Sequence, residues 1–240
     1  MFSNAMIDSM NVHSIQQQYS SEELQKYIAE ANSGGDFTHW RSIRYFITKA
    51  IHKDGTFLDV GCANGFLLRC LLEWSEYDII PFGIDNRAEV IALAKELLPE
   101  YADHFQCVSG DDLDNLERFG LPVKYDFVYR NYWRRNDVGS AEQVKAIVED
   151  LLKHVHDDGR LILGVYWASS HPIGSEEYKN SLRLFHDFIS VIKQGAPSPT
   201  GEAFSETGFH WVMWVDVANF GLGTTKTSSG VELPPQVLNI

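Results

Sequence analysis

Between residues 56 and 166 the chain alternates short runs rich in β-branched and aromatic residues with longer amphipathic ones. The strands this pattern predicts are 56–60, 79–85, 104–108, 125–129 and 160–166. Helices are predicted between them at about 65–74, 87–98, 112–118 and 141–154, the last with Ser140 as its cap and Gln143 in the capping-box position. Strict strand and helix alternation specifies a parallel sheet with helices on both faces, an α/β three-layer sandwich. A further helix is expected at about 176–192, followed by the loop "QGAPSPTGEAFSE". The runs 209–217 and 222–228, joined by "ANFG", then read as a closing hairpin.

Two amphipathic helices precede the first strand. Ser20 opens "SSEEL" with Glu23 three residues on, a capping-box start for a helix that runs to about Ala31 and stops at "NSGG". Asp36 opens "DFTHWRSIRYFITKAI", in which Phe37, Trp40, Ile43, Ile47 and Ala50 recur at helical spacing. The first residues, "MFSNAM", resemble a cloning remnant, so residues 1–35 are read as that remnant plus a cap helix. Residues 36–229 form the main domain in this reading, and 230–240, with two adjacent prolines and little periodicity, a flexible tail.

Composition narrows the class. A chain of 240 residues, 44% hydrophobic and 22% charged, suits one α/β domain with a sizeable core. Lys and Arg number 20 against 33 Asp and Glu, a net charge of −13 that is a poor match for a phosphate backbone and disfavours nucleic acid as the main partner. No apolar run approaches the ~20 residues of a membrane span, so a soluble, cytoplasmic protein is expected. Cys62, Cys70 and Cys107 are odd in number, lie in or beside apolar runs and include no C-x-x-C pair, which reads as reduced thiols.

The first strand ends in "FLDVGCANGFLL", residues 57–68, where two glycines and one carboxylate interrupt an apolar run. A strand that enters a small-residue turn and leaves directly into a helix explains it. Glycine lets the backbone approach a ligand, and the helix start presents N–H groups to it. A dinucleotide fingerprint would need glycines at its first, third and sixth positions, and here those places hold Gly61, Ala63 and Phe66, so the nicotinamide reading loses most of its support. What remains is Asp59, Gly61, Ala63 and Gly65, followed one strand and helix later by Asp85, whose carboxylate is suited to two ribose hydroxyls. Asp and Asn are also frequent at strand ends and helix starts, so the residue types alone leave a capping role open for Asp59, Asp85 and Asp111, and a structural one for Arg130 and Asn131.

With these segments the chain resembles the class I S-adenosylmethionine-dependent methyltransferases, a Rossmann-like family. The resemblance covers roughly residues 36–229 and rests on "FLDVGCANG", "PFGIDNRAEVIALAKE", "VSGDDL", "YDFVYRN" and "HDDGRLIL", in that order, with the closing hairpin. It implies a seven-stranded, mostly parallel sheet with an antiparallel last strand, and S-adenosylmethionine as cofactor. By the same resemblance Asp59 orders the turn and meets the methionine amino group, while Gly61, Cys62, Ala63, Asn64 and Gly65 supply backbone around methionine and ribose. Asp85 is implied as the ribose ligand, with Asn86 beside the adenine. Asp111 is the implied acceptor for the adenine amino group, with Asp112 and Leu113 along the ring. Arg130 and Asn131 fall where the family brings donor and acceptor together.

The acceptor is less constrained. Methyl transfer from a sulfonium is an in-line displacement that mainly needs alignment and exclusion of water, so a general base is required only when the acceptor must lose a proton. After the fourth strand the chain has "RNYW" where amino-methylating members of the family carry Asn-Pro-Pro-aromatic, and no metal-binding set of carboxylates stands out. Tyr132 and His171, beyond the fourth and fifth strands, are the candidate catalytic side chains. Tyr19, Trp40, Arg44, Trp133, Tyr166, Trp167, His210 and Trp211 join them as candidate pocket walls, a set suited to a small, partly apolar acceptor. The expected activity is therefore methylation of a small molecule. A protein or RNA acceptor, or a non-catalytic or nicotinamide-binding Rossmann protein, are the alternatives, and the oligomeric state is left open.

Overall fold

A computed structural model describes residues 14–31, 34–132, 139–167, 171–205 and 209–219. Seven strands form one sheet in the order β3-β2-β1-β4-β5-β7-β6, built from β1 (Gly55–Val60), β2 (Ile79–Asp85), β3 (Phe105–Cys107), β4 (Tyr125–Tyr132), β5 (Val155–Tyr166), β6 (Gly201–Phe204) and β7 (His210–Asp216). Strands β1 to β5 are parallel, and β7 runs antiparallel to both of its neighbours. This is the sandwich expected from the alternation. The strand order reverses between β1 and β4, so their carboxyl ends flank the crevice where ligands of open α/β sheets bind.

Strand alternation divides the core. Phe57 and Asp59 share one face with Phe127, Tyr129, Ile162, Tyr166 and Val212, and that face packs against the leading helices, α4 (Phe66–Trp74) and α5 (Ala88–Leu97). Leu58 and Val60 share the other face with Val128, Tyr132, Leu161, Leu163 and Trp211, against α6 (Ala141–Lys153) and α7 (Glu176–Gly195). Ser140 and Ser175 cap α6 and α7 through Gln143 N and Tyr178 N.

The leading segment is part of the core. It comprises α1 (Ile15–Gln18), α2 (Ser21–Glu30), α3 (Phe37–Ser42) and a 3₁₀ turn over Tyr45–Ala50. Ser20 and Glu23 form the expected capping box, and Asp36 caps α3 through His39 N. Ile15, Leu24 and Ile28 are buried in the same cluster as Phe66 and Trp74. The helix expected from Asp36 onward breaks at Ile43 and Arg44. The hydroxyls of Ser42 and Thr48 bond the carbonyls of His39 and Tyr45, which competes with the helical ladder. Trp40, Ile43, Arg44, Phe46 and Ile47 all turn inward, more than one continuous helical stripe buries.

The hairpin also differs from expectation. Residues His210–Asp216 pair with Gly201–Phe204, inside the stretch read as a loop, while 222–228 lie outside the described residues. Trp214 crosses so close to Gly201 that a Cβ there would lie 2.3 Å from its ring, so this short strand needs its glycine. His154 is buried where β5 begins at Val155, earlier than expected, with its Nδ1 2.9 Å from the Val123 carbonyl.

Candidate functional site

The turn after β1 is held by the end of β2: Gly61 N and Cys62 N both donate to Ile84 O, at 2.8 and 2.9 Å. Three of its residues have positive φ, Gly61 at 91°, Ala63 at 50° and Gly65 at 72°. Small residues are required for such a path. A Cβ on Gly61 would meet nothing within 4 Å, whereas one on Gly65 would press on Ala94 and Phe105. The turn therefore faces open space at Gly61 and packs on the domain at Gly65. Asn64, fully buried, donates its Nδ2 to Tyr27 O (2.9 Å) and accepts from Phe66 N, tying α2 to the turn and to the start of α4.

Two carboxylates flank this turn. Asp85, the last residue of β2, is 7% exposed and accepts from Ala63 N at 3.1 Å and from Arg87 N at 3.1 Å. The Arg87 guanidinium adds Nε to Oδ1 at 3.0 Å and Nη2 to Oδ2 at 3.3 Å. Asp59, in β1, is 4% exposed, and burial followed by the Asp85 charge pushes its pKa up to about 8, with Arg44 opposing.

Beside Asp59 lies a buried polar and aromatic cluster. The Tyr129 hydroxyl is 2.8 Å from that of Tyr166, and the Arg44 guanidinium lies 3.5 Å from the Tyr166 ring centre and 4.4 Å from that of Trp40. Gly164 leaves room for the cluster: a Cβ there would stand 2.7 Å from the Tyr129 hydroxyl and 2.9 Å from Asn131 Oδ1. His210 packs on Tyr166, and burial, with Arg44 and His39 adding to it, lowers its pKa to about 3, so its ring is neutral.

No protein-family model matches the sequence, and neither does any curated protein. Solved structures do match. A SAM-dependent methyltransferase from Aquifex aeolicus superposes with a TM-score of 0.52 at 12% identity, covering 82% of this chain and 97% of that one. The pyocyanin biosynthetic protein PhzM gives 0.51 at 13% identity, covering 73% of this chain and 54% of that one. The chain has the SAM-dependent methyltransferase fold. At such identities the likeness is one of architecture.

Within the methyltransferase fold, the structure brings Asp59, Gly61, Cys62, Ala63, Asn64, Gly65 and Asp85 together around one turn. Asn86, Asp111 and Asp112 are exposed, and Leu113 is buried at the start of a 3₁₀ turn over Leu113–Phe119. Arg130 lies on the opposite face of β4 from Asn131, and reaches Gly110 O at 3.4 Å and Asp111 at 3.9 Å. Asn131 falls on the Asp59 face. Tyr132 falls on the other, buried in the cluster with Val144 and Phe185. His171 is exposed in the loop after β5. Trp133 lies outside the described residues. Tyr129 and Gly164 were not singled out from the sequence. Their signal is the register that sets Asp59 opposite Tyr129 and Asn131 opposite Gly164, and it needs paired strands to be read. Among the described residues no group of three or more His, Cys, Asp or Glu is arranged to hold a metal ion, and no helix is long and apolar enough to cross a membrane.

Proposed function

We propose that the chain is an S-adenosylmethionine-dependent methyltransferase acting on a small-molecule acceptor. The observation that carries the reading is the turn itself. Three positive-φ residues open toward solvent at Gly61, between a buried Asp59 and an Asp85 carboxylate locked in place by the amide of Ala63. This donor set fits the cofactor. Asp59 is suited to an ammonium group, Asp85 to a ribose diol, and the small-residue backbone to close approach. When bound, S-adenosylmethionine supplies a sulfonium-activated methyl group as electrophile.

The remaining task for the protein is alignment and exclusion of water. Helices α2 and α3 cover the carboxyl edge of the sheet through the Asn64 to Tyr27 bond, the stacking of Tyr27 on Phe66 at 5.6 Å and the tilted contact of Trp40 with Phe66 at 5.3 Å. With Arg44, Trp40 of α3 joins Tyr129, Tyr166 and His210 in a buried polar and aromatic cluster on the Asp59 face of the sheet. Cover of the carboxyl edge by the leading helices supports a small acceptor over a protein or RNA chain, as does the net charge of −13. Calorimetric titration with S-adenosylhomocysteine and, separately, with NAD tests the reading. Heat with the first and none with the second is expected, and the reverse would assign the site to a nicotinamide cofactor.

A further inference from the structure

We propose that Arg87 is a latch on Asp85, which the cofactor must displace, and that it sets the affinity of the site. The inference rests on the cofactor reading above. The Asp85 carboxylate accepts four hydrogen bonds, two on each oxygen, and so has each of its lone-pair directions in use. Two come from backbone amides, those of Ala63 and Arg87, and hold the carboxylate in position whatever side chain stands at residue 87. The other two come from the guanidinium, which grips both oxygens in a fork. Ribose hydroxyls cannot donate to those oxygens until the fork lets go.

The rest of the contact suits a removable group. The Arg87 side chain is 36% exposed against 7% for Asp85, so the guanidinium stands on the solvent side of the carboxylate. Arg87 precedes α5 without a side-chain cap bond, so its removal leaves the helix start intact. An ion pair with one exposed partner is screened by salt, so added salt loosens the latch.

The test is a calorimetric titration of the whole chain with S-adenosylhomocysteine at low and high sodium chloride. In wild type, affinity is expected to rise with salt. Arg87→Ala is expected to bind about three- to tenfold more tightly at low salt, the scale of one partly exposed charge pair, and to lose the salt dependence. Arg87→Lys keeps the charge without the fork and is expected to fall between the two. Equal or weaker binding by Arg87→Ala, beside normal binding by wild type, would overturn the latch and leave the cofactor reading standing. Binding by neither protein would overturn both.

Discussion

Asp59 carries the most telling chemistry at the scale of single residues. Its pKa of about 8 lies above the ~3.9 of an unfolded aspartate. The folded chain therefore holds a proton that the unfolded chain has lost between about pH 4 and pH 8, so Asp59 makes stability fall as pH rises through that window. The charges facing it are Asp85 and Arg44, while the neighbouring Cys62 and Tyr129 have raised pKa values and stay neutral. A cofactor ammonium brought against Asp59 favours the ionised form and expels the proton. Titration with S-adenosylhomocysteine at pH 7 is expected to release about one proton, seen as heats that change with the ionisation enthalpy of the buffer, and Asp59→Asn is expected to abolish the release. Buffer-independent heats from wild type would remove Asp59 from the ligand. Gly61→Ala separates binding from folding better than a change at Gly65, because its Cβ enters open space. Its φ of 91° costs an L-residue about 1–2 kcal/mol, a modest drop in Tm, while S-adenosylhomocysteine affinity is expected to fall at least about tenfold. Unchanged affinity would show that the ligand does not approach the turn there.

At the scale of elements, the cap behaves as core. Were the leading helix a detachable lid, removal of residues 1–33 would leave a folded domain that still binds cofactor. The packing of Ile15, Leu24 and Ile28 against α4, and the Asn64 to Tyr27 bond, predict instead that this truncation loses much of its stability together with the geometry of the turn. A gentler probe is Ile28→Ala. With Ile28 1% exposed, it is expected to lower the unfolding free energy by about 2–4 kcal/mol in urea titration. A loss below about 0.5 kcal/mol would mean the cap packs loosely enough to open. The capping box at Ser20, the serine cap at Ser140, the glycine turn and strands β1, β2 and β4 were legible because each is fixed by local chemistry: a side chain on its own backbone, a positive φ, an alternation of period two. Two features were not. The break at Ile43 and Arg44 follows from burial of an arginine against Trp40 and Tyr166, and β6 has four residues whose pairing with β7 is decided by Trp214 lying over Gly201. Arg87 on Asp85 is a rotamer choice two residues away, which no periodicity encodes.

At the scale of the whole molecule, the sheet order β3-β2-β1-β4-β5-β7-β6 puts the ends of β1, β2, β4 and β5 along one edge and covers that edge with the leading helices. Asp85, on β2, and Asp59, on β1, stand on one side of the crevice, and the cluster of Tyr129, Tyr166 and His210 on the other. In the proposed reading, a cofactor held by the first side would present its reactive group toward the second. The central claim is that this edge binds S-adenosylmethionine through Asp85. Calorimetric titration of wild type and Asp85→Ala with S-adenosylhomocysteine tests it most directly. The expected result is saturable binding by wild type and at least about tenfold weaker binding by the variant, some 1.4 kcal/mol for the lost charged partner of two hydroxyls. Equal affinities, or no binding by wild type, would contradict it.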